Sequence, residues 1–150
     1  MKFRFRLKSV LNIKIQTESI KKTELGQALT VLDMENKKLN FLVSKLNNYI
    51  NEYKEWLNKS QSAAEIRSFN IYLTKQKEKI EIQKENVNKA KESVDRIRQE
   101  LIRVSKEKEM LEKLQEKKKL IFNEMELKEE QKIIDEIISY KHNVKPVEAG

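Results

Sequence analysis

Between Gly26 and Pro146 the chain contains neither glycine nor proline, and these two residues with Gly150 are all it has of either type. Folds made of many short elements need tight turns, and tight turns depend on glycine and proline. A long uninterrupted stretch without them permits long helices and little else. Composition agrees: 38% of residues are hydrophobic and 37% charged, too few apolar groups for the thick core of an ordinary globular domain.

Periodicity identifies the helices. From Leu25 the apolar residues recur alternately three and four apart, through Ala28, Leu32, Leu39, Leu42, Leu46, Tyr49, Tyr53 and Trp56, with Glu35 as an interruption. Leu25, Leu32, Leu39, Leu46 and Tyr53 lie seven apart, which makes the stripe a coiled-coil seam. The pattern stops at Asn58-Lys59-Ser60-Gln61. Ser62-Ala63-Ala64-Glu65 then has the spacing of a capping box, in which Ser62 satisfies a free backbone N–H at the start of a second helix. The second seam reads Ile66, Phe69, Leu73, Ile80, Val87, Ala90, Val94, Ile97, Leu101 and Val104, with Gln76 and Gln83 as polar intrusions.

Two such helices joined by a few residues fold back antiparallel. The expected fold is all-α, one helical hairpin over 1–150: helix 1 about 7–58, a turn at 59–62, helix 2 about 63–140, and a disordered tail at 141–150. Placing Trp56 opposite Ile66 pairs Tyr53 with Phe69, Tyr49 with Leu73 and Leu42 with Ile80, and leaves Leu46 facing Gln76 and Leu39 facing Gln83. Toward the termini Lys21 and Glu18 enter the seam and Ile13 and Ile20 leave it, so looser packing is expected there. The second helix is the longer one, and its overhang is expected from near Glu116, with an apolar face through Ile121, Met125, Ile133, Ile134, Ile137 and Ile138 that lacks a partner in the chain.

Several chemistries are disfavoured. The chain has no cysteine and a single histidine, His142, in a polar stretch, so no metal site is expected. No phosphate-binding glycine loop and no nucleophile motif occurs. Asp135-Glu136 is a carboxylate pair, but neighbours on a helix point about 100° apart and do not converge. No catalytic residue, cofactor or enzymatic activity is expected. Lys2, Arg4, Arg6 and Lys8 interrupt the apolar residues at the start, so neither a secretory signal nor a membrane span is expected, and the chain is read as cytoplasmic.

The net charge of +8 is unevenly placed: residues 2–8 carry four positive charges and no negative one, and elsewhere lysine and glutamate are interspersed. Without a long basic stripe, an acidic protein partner is favoured over nucleic acid. Tyr49, Tyr53, Trp56, Phe69 and Tyr72 cluster near the turn. Two helices are too thin to bury rings of this size fully, which makes this end a docking surface.

Phe3-Arg4-Phe5-Arg6-Leu7-x-x-Val10-Leu11, Tyr49-Ile50-Asn51-Glu52-Tyr53, Phe69-x-x-Tyr72-Leu73, Leu111-Glu112-Lys113-Leu114 and Gln131-Lys132-x-x-Asp135-Glu136, in that order, resemble the FliJ family, small coiled-coil proteins of the flagellar type III export apparatus. The resemblance implies a non-enzymatic stalk, similar to the gamma subunit of rotary ATPases. Its implied partners are a hexameric export ATPase, the cytoplasmic domain of the export-gate membrane protein and export chaperones, which would hold it peripherally at the inner membrane. Family positions for gate binding fall on Leu42, Leu46, Tyr49, Tyr53 and Tyr72. Two further ones, apolar in better-known members, fall on Gln76 and Lys79, a departure in the second-helix half of the site. By the same analogy Arg4, Arg6 and Lys8 are contacts for the ATPase ring. The alternatives are the equivalent stalk of a virulence-type secretion system and a generic basic coiled-coil interaction protein.

Overall fold

The computed structural model describes residues 1–59 and 62–148, with side chains through Asn143. Two helices follow a short non-helical start: α1, Lys8–Leu57 of 50 residues, and α2, Ala63–Glu148 of 86 residues. They form an antiparallel hairpin in which α2 is the longer. Part of the expected turn falls on residues 60 and 61, outside the described residues. At its edges α1 closes with Asn58 N–H to the Glu55 carbonyl at 3.3 Å and Lys59 N–H to that of Trp56 at 3.0 Å. Ser62 Oγ accepts the Glu65 N–H at 3.3 Å, so the capping serine serves the start of α2.

Gly26 does not break α1. A β-carbon there would meet nothing within 4 Å, so the helix simply tolerates a weak helix former at an open position. At the other end α2 continues past the point near Tyr140 where the tail was expected, and Lys141–Asn143 are helical. The apolar pattern ends before them, but no breaker does, and cationic side chains near a helix C-terminus complement its dipole. Ala149 and Gly150 lie outside the described residues.

The chain divides into two compact units, Glu18–Arg103 and Met1–Thr17 with Val104–Gly150. In the first, the seam follows the expected register. Tyr53 stacks on Phe69, and Leu46, Gln76, Ile80, Val87, Ala90, Val94 and Ile97 are buried. The polar intrusions are satisfied: the Gln83 amide donates to the Glu35 carbonyl at 2.9 Å and also to the Glu35 carboxylate. Such a pair costs stability against an apolar layer but fixes which residues face one another. Farther from the turn, Lys21 bridges to Glu100 at 2.8 Å and to Glu24 at 3.0 Å.

In the second unit buried apolar residues are fewer than in the first, Leu11 and Val104 among the described residues, but these two are tightly enclosed at 2% exposure each. Beyond Lys21 and Glu18 the α1 seam continues at the same alternating spacing through Lys14 and Leu11. Ile13 and Ile20 are exposed, as expected of residues off that line. At the polar seam position Lys14 pairs with Glu107 of α2, so an ion pair replaces an apolar layer.

Candidate functional site

The aromatic cluster lies in the unit Glu18–Arg103 and is built by heptad spacing. Tyr49, Tyr53 and Trp56 stand four and three apart on α1, and Phe69 and Tyr72 three apart on α2. Phe69 is buried and nearly parallel to two rings, Tyr53 at 3.3 Å between centroids and Tyr49 at 4.9 Å. Tyr72 lies off the seam and leans against Tyr49 at 4.2 Å with the rings inclined by 46°, while Tyr53 and Trp56 are 5.6 Å apart. Tyr49, Tyr53, Trp56 and Tyr72 are all half-buried. Each thus contributes one face to internal stacking and keeps another toward solvent.

Burial raises the Tyr49 hydroxyl above its usual pKa, with smaller contributions from Tyr72 and Glu52. The hydroxyl is protonated at neutral pH, as it would be at its usual pKa, and can donate a hydrogen bond. The groove over the cluster is also lined by Glu52, Glu65 and Ser68. This acidic rim was missed in the sequence, where Glu52 and Glu65 are two among 24 acidic residues and only the rotational phase of each helix singles them out.

Of the residues assigned to gate binding, Tyr49, Tyr53 and Tyr72 come together in this cluster. Leu42 is half-buried, and Leu46 is buried at 9% exposure. Leu46 thus occupies the seam, where its first effect is on hairpin packing. Gln76, too, is buried in the seam, whereas Lys79 is exposed.

The second group of assigned residues lies in the other unit. Residues 1–7 are not helical, and Phe3 and Phe5 alternate as half-buried residues with exposed Arg4 and Arg6. This is the period of an extended segment. It runs beside α2: the Phe3 ring lies 5.6 Å from that of Phe122, and the Met1 amino group 3.9 Å from the Glu126 carboxylate. Phenylalanines face α2, and arginines face out. Lys8, exposed, opens α1 with its N–H on the Phe5 carbonyl at 3.1 Å. The segment reaches only part of the overhang expected from Glu116: Phe122 is half-buried beside Phe3, whereas Leu120, Ile121 and Met125 stay 64%, 42% and 62% exposed. The same stretch of α2 includes Lys117, Lys118 and Lys119, so the basic character of this end draws on both α2 and the first eight residues.

Among the described residues no helix is long and apolar enough to cross a membrane, and no group of three His, Cys, Asp or Glu could hold a metal ion.

A cysteine-free antiparallel hairpin with a register fixed by polar layers and half-exposed rings near its turn has the build of a coiled-coil stalk. The family model described as flagellar FliJ protein matches residues 2–146, and the chain belongs to that family, which makes it a stalk-type component of type III secretion. Among solved structures, a protein of Chlamydia trachomatis described as a YscO homologue is similar at 25% identity, over 95% of this chain and 97% of that one, with a TM-score of 0.47. No curated protein sequence matches.

Proposed function

We propose that the chain is the non-enzymatic coupling stalk of a flagellar type III export apparatus, joining the hexameric export ATPase to the cytoplasmic domain of the export gate and binding export chaperones. Membership of the FliJ family over nearly the whole chain carries this reading. In it the gate-binding surface is the aromatic cluster of Tyr49, Tyr53 and Tyr72, with Leu46 and Leu42 about one and two turns farther along α1. Rings already stacked on Phe69 lose little side-chain freedom on docking, which favours them as anchors. The outward-facing Arg4 and Arg6, with Lys8, contact the ATPase ring.

The decisive measurement is binding of the full chain to the purified cytoplasmic gate domain by calorimetry. Tyr49→Ala with Tyr53→Ala should weaken it at least tenfold, the loss typical of anchor residues at about 1.4 kcal/mol or more, with helicity unchanged by circular dichroism. Arg4→Ala with Arg6→Ala should leave gate binding intact and reduce association with the ATPase ring. Unchanged gate binding by the tyrosine variant would remove the assignment of the aromatic cluster.

A further inference from the structure

Among the described residues the contacts of residues 1–7 with α2 reach no farther than Glu126. Beyond it Ile133, Ile134, Ile137 and Ile138 are 53%, 49%, 50% and 59% exposed, four isoleucines within six positions. Around the helix they form one stripe, and its centre line is Glu130, Ile134, Ile137, Lys141 at spacings of four, three and four. This is the a/d spacing of a coiled-coil seam with an acid at one end and a base at the other. Both charged residues are exposed, and neither takes part in an ion pair among the described residues.

We propose that this face of α2 pairs antiparallel with the same face of a second copy of the chain. The charge pattern selects that occupant and its direction. Setting Ile134 opposite Ile137 of the second copy places Glu130 opposite the second copy's Lys141, and two-fold symmetry repeats both contacts. Each end of the short seam then closes on an ion pair, with Ile133 and Ile138 flanking the centre. A parallel pair would instead set Glu130 against Glu130 and Lys141 against Lys141, like charges inside the seam. Sliding the antiparallel pair by one heptad puts Glu130 against Ile134 and leaves a carboxylate facing an apolar partner. The sequence is thus self-complementary in one direction and one register.

The contact spans only about 18 Å of helix, less than a stable interface needs, so the dimer is weak, with a dissociation constant on the order of 10–100 µM. Self-pairing does not depend on the stalk reading. It makes the pair and any other complex using this face mutually exclusive.

Sedimentation equilibrium of the full chain across that concentration range tests the proposal, with circular dichroism to verify that each variant stays helical. Wild type should pass from monomer to dimer. Glu130→Lys alone, or Lys141→Glu alone, should raise the dissociation constant about tenfold. The chain carrying both substitutions should dimerise like wild type, and an equimolar mixture of the two single variants should form a heterodimer, because each arrangement restores opposite charges at both ends. A chain that stays monomeric throughout overturns the proposal and leaves the face to a different protein. Dimerisation that ignores the single substitutions, or that the double substitution fails to restore, overturns it by placing the contact elsewhere.

Discussion

Phenylalanine rings hold both of the assigned docking surfaces, but in different ways. Around Phe69 the rings come from two helices at seam spacing, so Tyr49 and Tyr53 pack inward with one face and remain exposed with the other. At Phe3 and Phe5 the backbone is extended, and alternation sends the rings to α2 and the arginines to solvent. The first arrangement offers aromatic surface with an acidic rim, the second offers positive charge anchored by aromatics. Backbone period, more than residue type, decides which chemistry a partner meets.

The contrast predicts unequal costs of truncation. Phe69 is 7% exposed and stacked by two tyrosines, so Phe69→Ala should cost about 3 kcal/mol of hairpin stability, read as a lowered denaturation midpoint with loss of the near-ultraviolet aromatic signal. An unchanged midpoint would mean that the cluster forms without contributing to the fold.

Phe3→Ala should be milder, about 1 kcal/mol, since the ring is half-buried rather than buried and pairs with the Phe122 ring. Its loss should appear locally, as faster amide exchange and proteolysis in residues 1–7 while global unfolding scarcely moves. A loss of global stability equal to that of Phe69→Ala would erase the distinction between a structural ring and an anchoring one.

The hairpin itself was legible because its seams are periodic over many turns, and Tyr53 facing Phe69 follows from counting outward from the turn. Counting failed where polar residues stand at seam positions. Lys21 and Glu18 were read into the seam, but its continuation through Lys14 to Leu11 was not, because an ion pair across the helices preserves the period while erasing the hydrophobic signal. In Phe3-Arg4-Phe5-Arg6 the charge was legible, but its conformation was not used: alternation implies an extended segment, and this one runs along α2 with Phe3 beside Phe122. On α2, Phe69 followed from the heptads, and Tyr72 only from its nearness to them in sequence. Glu52 and Glu65 at the rim of the cluster did not follow, since a glutamate outside a seam has no periodic signature.

The smallest expected effect concerns ion pairs across the helices, such as Lys21–Glu100 in the unit Glu18–Arg103, and Lys14–Glu107 in the other, whose members lie seven residues away on their helices. Hydrogen bonding to Lys21 lowers the Glu100 pKa below its ordinary 4.5, and hydrogen bonding to Glu100, then to Glu24, raises that of Lys21 above 10.5. A lowered carboxylate contributes stability that is fully present above 4.5 and lost as pH falls through the folded value. A raised amine contributes stability that is fully present below 10.5 and lost only as pH rises through its folded value. The pair's contribution is therefore flat across the neutral range and declines at both extremes. Glu100→Gln should reduce the fall in melting temperature between neutral pH and pH of about 3, while the alkaline limb survives in part because Glu24 still holds Lys21. Both groups reach solvent, so the difference is small and should shrink further in high salt. An acid limb identical in wild type and variant would show that Lys21 and Glu100 set register without contributing to stability, the role assigned to Gln83 and Glu35 deeper in the same seam.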